Sequence, residues 1–194
     1  MGFECVKDAC EQLLANQVTT LVSWGTAAGL KDTLHSGDLI LPDIINTTSG
    51  QKYNTDSVWN QKINDYLTNS TINIYRNNIY SSDILLGTPD QKMQVYLETG
   101  CIAADMESGI IAKFAYENNI SFISIRSVID ESNNSIPDSV TNNIDKYGNL
   151  DISRLLLDLL VKPYQLSDIY YLYHAMKKSC ITLTTIANKL QVMS

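Results

Sequence analysis

Two carboxylates in the run Ala104-Asp105-Met106-Glu107-Ser108 are the first residues of this sequence that could do chemistry. The run lies where a predicted strand meets a predicted helix, and acidic residues in the first turn of a helix commonly stabilise its dipole. A glutamate at such a junction can instead accept hydrogen bonds from both hydroxyls of a ribose. The run by itself fits either interpretation.

Asp130 is the second candidate, because it ends the apolar run Ile123-Ser124-Ile125-Arg126-Ser127-Val128-Ile129. An aspartate at the end of a buried strand lies at the carboxyl edge of the sheet, where ligands bind in open α/β folds. Partial burial raises the pKa of a carboxyl group, so that it can donate a proton. The plainer alternative is that Asp130 caps a loop.

The small residues of Gly25-Thr26-Ala27-Ala28-Gly29 follow the predicted strand Val18–Trp24 and are expected to form a turn. Small side chains let backbone N–H groups approach an anion closely, and Thr26 adds a hydroxyl donor. A tight turn without any ligand would need the same residues. The run has neither the lysine of a phosphate-binding P-loop nor the spacing of a dinucleotide-binding fingerprint.

Alternating helices and strands must position these three segments. Predicted helices begin near Val6, Asp56, Thr88, Asp105, Ile152 and Ser167, and predicted strands cover Val18–Trp24, Asp38–Ile45, Ile72–Tyr75, Ile79–Leu86, Cys101–Ala104 and Ser121–Ile129. A polar loop is predicted from Asn133 to Gly148. This alternation predicts an α/β fold around a mixed or parallel sheet.

Composition narrows the class of protein. A length of 194 residues fits one domain, and the net charge of −7 without any basic run argues against nucleic-acid binding. The four cysteines form no C-x-x-C pair and only two histidines are present, so a zinc site is not expected. With no secretory signal and no apolar run of about 18 residues, we expect a cytoplasmic protein with reduced thiols and no transmembrane segment.

The three segments occur in an order that resembles the purine nucleoside phosphorylase and nucleosidase superfamily. Its hopanoid-associated phosphorylase branch is most similar, with a Ser-Trp-Gly-x-Ala turn, a D-M-E-S box and an arginine-bearing strand that ends in Asp. The resemblance also covers Gly37–Pro42, Ser82-Asp83, Lys92 and Lys162–Leu166, and so runs over almost the whole chain.

The resemblance implies roles for the carboxylate segments. Glu107 falls on the glutamate that binds the ribose 2′ and 3′ hydroxyls, and Met106 falls where relatives pack a methionine beneath the sugar. Asp130 falls on the acid that protonates or hydrogen-bonds purine N7. Relatives often have Ser directly before that acid, where this chain has Ile129.

The resemblance also places the remaining contacts. Gly25, Thr26 and Ala27 fall where the family holds phosphate through a hydroxyl and backbone N–H groups, and Leu85 and Leu86 fall where relatives wall the base pocket. The family normally begins with a further strand-rich stretch of about 40–50 residues. We therefore expect an N-terminally truncated form.

These observations predict one domain over residues 1–194, with a three-layer α/β/α fold, a central mixed sheet and the first strands lacking. The expected reaction is cleavage of the N-ribosidic bond of a purine-type nucleoside or an adenosyl-linked substrate. Phosphate is the expected nucleophile and co-substrate, with water as the alternative, and no metal or organic cofactor is implied. Relatives usually associate, so a homo-oligomer is expected.

Two rival classes stay open at this point. One is a non-catalytic protein that keeps the nucleoside pocket of the same fold. The other is a dinucleotide-binding domain resting on Gly25 and Gly29, which the absence of a G-x-G-x-x-G run disfavours.

Overall fold

A computed structural model describes residues 3–68, 70–143 and 151–191 of the chain. The helices are α1 (Phe3–Ala15), α2 (Ser57–Leu67), α3 (Pro89–Thr99), α4 (Ser108–Glu117), α5 (Asp138–Thr141), α6 (Ile152–Val161) and α7 (Leu166–Gln191), with a short 3₁₀ turn at Pro163–Gln165. The strands are β1 (Thr20–Gly29), β2 (Leu39–Ile40), β3 (Ile44–Thr47), β4 (Lys52–Asn54), β5 (Ile74–Tyr75), β6 (Ile79–Ser81), β7 (Ala103–Asp105) and β8 (Ser121–Asp130).

The strands form one mixed sheet in the order β4-β3-β6-β7-β1-β8-β2-β5. Its centre is the long parallel pair of β1 and β8, while β7 runs antiparallel to β1 and β2 runs antiparallel to β8. Because the carboxyl ends of β1 and β8 lie side by side, the two segments with candidate residues at those ends meet at one edge of the sheet.

Helices cover both faces of this sheet, and the side chains of β8 show how. Phe122 and Val128 pack into a cluster with α1 and α4, whereas Ile123 and Ile125 pack into a second cluster with α2 and α7. Alternate residues of a strand point to opposite faces, so β8 joins two separate cores. The predicted three-layer α/β/α fold with a central mixed sheet is confirmed.

Helix starts with local capping chemistry lie where the sequence predicts them. The Asp56 side chain accepts hydrogen bonds from the N–H groups of Val58 and Trp59 at the start of α2. Thr88 and Gln91 form a reciprocal capping box at the start of α3.

The turn predicted at Gly25 to Gly29 is wrong, because these residues continue β1. Pairing with β8 extends the segment as far as Ala28, with Ala27 opposite Val128 and Ala28 opposite Asp130, and Gly29 pairs with Ala103 of β7. Small residues permit a turn, but a long parallel partner strand holds them extended instead.

Further boundaries differ from the prediction. The strand predicted from Ile79 to Leu86 ends at Ser81. The strand predicted from Asp38 to Ile45 is divided around Pro42, which has no N–H group for a ladder. The helix predicted from Asp105 begins at Ser108, because Asp105 is the last residue of β7. The polar loop predicted from Asn133 to Gly148 contains α5, and its residues 144–148 lie outside the described residues.

The side of β1 that faces away from β8 has little strand pairing. Among the described residues, β1 meets β7 only through Ala28 and Gly29. A cavity of ≈ 470 Å³ lies against the rest of this side, lined by residues of α1 and β1 together with Glu107, Ile111 and Arg126. We call it the α1-side cavity.

Of the helices that the structure describes, none is both long and apolar enough to cross a membrane.

Candidate active site

A second cavity, of ≈ 170 Å³, opens where β1, β7 and β8 end and where the chain leaves β6. We call it the central cavity. Seven of the eight residues that the sequence singles out line it, namely Thr26, Ala27, Leu85, Leu86, Met106, Glu107 and Asp130. The eighth, Gly25, lines the adjoining α1-side cavity, which shares Thr26 and Glu107 with the central one. The fold therefore brings the three predicted segments together.

The two acidic residues of the D-M-E-S run have different surroundings. Both carboxylate oxygens of Asp105 lie 3.3 Å from the Ser108 N–H, so Asp105 serves the start of α4. Glu107 occupies the N-cap position of α4, but its side chain makes no capping hydrogen bond. The Glu107 side chain is 25% exposed and lines both cavities, which suits a group that binds a ligand.

Close packing of α4 on β6 fixes the position of Glu107. The N–H of Gly109 donates to Ser81 Oγ at 2.8 Å. A Cβ atom on Gly109 would lie 2.8 Å from Ser81 Cβ and 3.0 Å from Thr47 Cγ2, closer than such atoms approach. Glycine is therefore required two residues after Glu107 for the helix to lie this close to the sheet.

Arg126 connects the acidic residues beneath the central cavity. Its guanidinium group is buried in β8, with Nη2 2.7 Å from Asp105 Oδ2 and Nη1 3.7 Å from Glu107 Oε2. It also donates hydrogen bonds to the hydroxyl groups of Ser23 and Ser108. Buried charges persist when they are paired and hydrogen-bonded, and Arg126 meets both conditions.

The position of Arg126 also explains the glycine opposite it in the sheet. Gly25 pairs with Arg126 across β1 and β8. A Cβ atom at Gly25 would lie 2.5 Å from Arg126 Nη1. The absence of a side chain at Gly25 thus makes room for the guanidinium group, and contact with phosphate at Gly25 stays a prediction.

Asp130 forms a buried ion pair with Lys92 of α3. Lys92 Nζ lies 2.6 Å from Asp130 Oδ2, and the two side chains are 0% and 5% exposed. Oδ2 meets no hydrogen-bond geometry, so the contact is electrostatic. Burial raises the pKa of Asp130 and lowers the pKa of Lys92, and in each residue the charge of the other opposes that shift.

A shift in the sheet register places Asp130 at the cavity. Ala27 pairs with Val128, but Ala28 pairs with Asp130, so Ile129 is an extra residue in β8. Ile129 and Asp130 both line the central cavity, although consecutive residues of a regular strand point to opposite faces. The shift thus gives the site an apolar residue beside its aspartate.

Apolar side chains form a wall of the central cavity, which Asp130 also lines. Ile84, Leu85 and Leu86 follow β6, and Ile136 approaches them from the segment after β8. The N–H of Ile136 donates to the carbonyl oxygen of Gly87 at 2.9 Å, which joins the two segments. A flat aromatic base can lie against such a wall while polar atoms at its edge reach Asp130.

Sequence reasoning assigned no role to Arg126 or Lys92. Arg126 had a detectable signal, because an arginine within the apolar run of β8 must find a buried partner. The sequence signal at Lys92 was weaker. Lys92 lies three residues before Val95 and four before Tyr96, and this helical spacing places it on the face of α3 that packs on the core. In both cases the partner carboxylates are distant in sequence.

The geometry can support attack on a sugar that carries a nitrogen base. Glu107 offers a carboxylate beside Arg126, and Asp130 offers one against an apolar wall. Charge separates between sugar and base when an N-ribosidic bond breaks, and carboxylates that are fixed before the reaction stabilise such a separation without reorganisation.

Comparison with known proteins identifies the family. The family model of the Phosphorylase superfamily matches residues 1–155. A 5′-methylthioadenosine/S-adenosylhomocysteine nucleosidase of Buchnera aphidicola is 29% identical over 143 residues, which is 65% of this chain and 62% of the relative. The nucleosidase of the same name from Thermotoga maritima is 30% identical over 84 residues, which is 43% of this chain and 38% of the relative. The chain thus spans less than two thirds of the length of these curated relatives.

Solved structures share the fold. The nucleosidase of this name from Neisseria meningitidis, in complex with methylthio-immucillin-A, has a TM-score of 0.63 at 17% identity and covers 68% of this chain and 66% of its own. A mutant Helicobacter pylori nucleosidase with 5′-methylthioadenosine in its active site has a TM-score of 0.66 at 14% identity and covers 95% of this chain and 74% of its own. Since the family model matches well over half of its residues, this chain belongs to the Phosphorylase superfamily of nucleoside phosphorylases and nucleosidases.

Proposed function

We propose that this chain cleaves the N-ribosidic bond of a purine-type nucleoside in the central cavity. The observation that carries the proposal is the meeting of Glu107, Met106, Asp130 and an apolar wall in one cavity, from segments far apart in sequence. These are the residue types that sugar binding and base binding need. The names of the relatives are consistent with this reaction.

Glu107 binds the ribose in this proposal. Its carboxylate accepts hydrogen bonds from the 2′ and 3′ hydroxyls, and the Arg126 guanidinium at 3.7 Å keeps it in place. Met106 lies beside Glu107 in the cavity lining and packs against the sugar. Hydrogen bonds to a charged group contribute about 1.5–3 kcal/mol each, which suits a residue that orients the sugar.

Asp130 acts on the leaving base. When the bond between C1′ and the base nitrogen breaks, both electrons stay on the base, which then takes up a proton. A carboxyl group that donates to or hydrogen-bonds that nitrogen is typically worth about 10²–10⁴ in rate. The wall of Ile84, Leu85 and Leu86 keeps the base beside Asp130.

The nucleophile separates two forms of this reaction. Phosphorolysis, which the sequence favoured, makes the chain a pentosyltransferase and uses Gly25, Thr26 and Ala27 to hold phosphate. The matched relatives are named nucleosidases, which supports water instead. Arg126 supports water as well, because its charge is taken up by Asp105 and Glu107 and is therefore less available to an anion. We place hydrolysis first.

The central cavity and the adjoining α1-side cavity together indicate a class of substrate. The matched relatives are named for two adenosyl thioethers, 5′-methylthioadenosine and S-adenosylhomocysteine. The α1-side cavity includes Glu107, the residue proposed to bind the sugar, and so offers space for a group attached to that sugar. We therefore place adenosine derivatives with a 5′ substituent first. An adenosyl-linked hopanoid precursor, suggested by the sequence resemblance, is a further candidate within this class.

An incubation of the purified chain with adenosine, inosine and 5′-methylthioadenosine, each with and without phosphate, tests the proposal. We expect free base to appear without phosphate, and base release that depends on phosphate would establish phosphorolysis instead. A variant with Glu107→Gln and Asp130→Asn, purified in parallel, controls for host enzymes. Calorimetric binding without base release would refute the enzyme and establish the nucleoside-binding alternative.

Exposed apolar side chains support the expected homo-oligomer. On α6 and in the 3₁₀ turn that follows, Leu160, Val161 and Tyr164 are 80%, 79% and 70% exposed. Exposed apolar patches commonly mark a protein interface, and these three residues are close together along the chain. Analytical ultracentrifugation of the chain measures its association directly, and a monomer at all concentrations would refute this expectation.

A further inference from the structure

The ammonium group of Lys92 is surrounded by oxygen atoms. Nζ donates to the main-chain carbonyl oxygens of Glu131 and Asn134 at 2.8 and 2.7 Å, and lies 2.6 Å from Asp130 Oδ2. The side chain is fully buried, so the described residues around it, rather than bulk water, set its charge. Two hydrogen bonds to carbonyl oxygens and the adjacent carboxylate favour the positively charged form of the amine, because hydrogen bonds from a cation are about twice as strong as neutral ones.

Lys92 also fixes the segment that carries Asp130. The two carbonyl groups belong to the first and the fourth residue after Asp130, while Lys92 lies in α3 directly after the capping box of that helix. One side chain thus anchors both the carboxylate and the backbone that presents it. Because Asp130 Oδ2 faces Lys92, the orientation of the carboxyl plane toward the cavity is set from α3.

We propose that Lys92 is a positioning residue, which holds Asp130 as a carboxylate so that Asp130 accepts, rather than donates, the hydrogen bond to the leaving base. The inference rests on the proposed function and makes it more specific. A purine that leaves with an N–H at the atom facing Asp130 is recognised by this arrangement, whereas a base that cannot carry a proton there is not.

The reaction balances without a proton from Asp130. The bond from C1′ to the base nitrogen breaks with both electrons passing to the base, and the oxygen of water bonds to C1′. The proton that water gives up ends on the base, whose new N–H donates to Asp130. Lys92 and Asp130 keep their charges throughout, so the buried pair never becomes a single uncompensated ion.

Other titratable groups near the pair have partners of their own. The Glu131 carboxylate accepts from the N–H and the hydroxyl of Ser36 at 2.9 Å and lies 3.7 Å from His35 Nδ1. The hydroxyl of Tyr171, on α7, lies 3.4 Å from that of Ser36, and burial raises the pKa of Tyr171. These groups form a separate network beside the pair, in which Glu131 adds negative charge that raises the pKa of both Asp130 and Lys92.

Removal of Lys92 separates this proposal from a purely structural role. Lys92→Met keeps an unbranched chain of similar length and removes the charge. The charge of Lys92, which lowers the pKa of Asp130, is then gone, while burial and the charge of Glu131 still raise it. Asp130 should therefore titrate at higher pH in this variant, and turnover should be low at pH 7 and recover as pH rises.

Carbon-13 NMR of aspartate carboxyl groups measures this directly, with Asp130→Asn assigning the resonance. We expect Asp130 to be ionised at pH 7 in the unmodified chain, and a protonated Asp130 there overturns the proposal. In Lys92→Met, an unmoved titration or a higher turnover at pH 7 also overturns it. If that variant does not fold, the unmodified chain alone decides. The titration needs no turnover, so an ionised Asp130 in an inactive chain refutes the proposed function and leaves the ionisation by Lys92 standing.

Discussion

Substitution of Gly109 by alanine tests whether packing of α4 on β6 sets the position of Glu107. The added Cβ atom would lie 2.8 Å from Ser81 Cβ, which is bonded directly to the backbone of β6 and cannot rotate away, and 2.9 Å from Ser81 Oγ. The start of α4 must therefore move away from the sheet, and Glu107, two residues earlier, must move with it.

The expected cost follows from two opposing effects. Overpacking a tight contact costs about 1–3 kcal/mol. The higher helix propensity of alanine returns up to about 1 kcal/mol. With the full propensity gain, the net loss is about 0–2 kcal/mol, which lowers the melting temperature of a chain of this size by up to about 8 °C. Displacement of Glu107 by a fraction of an ångström to 1 Å should lower kcat/KM by about 10–100-fold.

Calorimetry and base-release kinetics measure the two effects separately. Lys113→Ala on the same helix is the matched control, because Lys113 is 58% exposed and pairs only with Glu117 among the described ion pairs. It should change neither quantity appreciably. Ser81→Gly combined with Gly109→Ala removes the two closest atoms and should restore part of the activity. Unchanged kcat/KM in Gly109→Ala, or no recovery in the double variant, would refute the reasoning.

The remaining predictions concern the residues of the central cavity. Asp130→Asn should lower turnover by at least ~10² while nucleoside binding persists in calorimetry, and near-normal turnover would remove Asp130 from the chemistry. Glu107→Gln should weaken a ribonucleoside by roughly 1.5–3 kcal/mol per lost charged hydrogen bond but a 2′,3′-dideoxy analogue far less, so equal losses would contradict a sugar contact. Thr26→Val should weaken phosphate by about 1–2 kcal/mol if phosphate binds there, and an NMR titration with unchanged affinity would exclude this site. In Lys92→Met, the pKa of Asp130 is higher in the folded chain than in the unfolded chain. The loss of unfolding free energy relative to the unmodified chain should therefore grow as pH rises from the unfolded-state pKa of Asp130 toward its folded-state pKa. A loss that does not depend on pH in chemical denaturation would count against the ion pair.

Features governed by neighbours along the chain were predictable from the sequence. The caps at Asp56 and Thr88 depend on residues within three positions, and both lie as predicted. The alternation of predicted helices and strands was enough to predict the three-layer fold. The strand β1 was predicted too short because its second half owes its extended shape to β8, a hundred residues away.

In the site, too, features that depend on local sequence were predicted, and contacts between distant residues were not. A family-like order of motifs singled out Glu107 and Asp130, and the structure brings them to one cavity. The ion pairs of Arg126 and Lys92 were not predicted, because each joins elements that only the folded sheet brings together. A buried charge in the sequence signals that a partner exists, but it does not identify that partner.

The extra residue in β8 makes the length of that strand, as well as its composition, a determinant of the site. Deleting Ile129 would leave the aspartate opposite Ala28 in regular pairing, but it would remove the irregularity by which two consecutive residues of β8 reach the central cavity. Replacing Ile129 by another side chain would change only the wall of the cavity. Surface loops accommodate insertions and deletions, but β8 should not. We therefore expect any variant that retains the chemistry to keep the length of this strand.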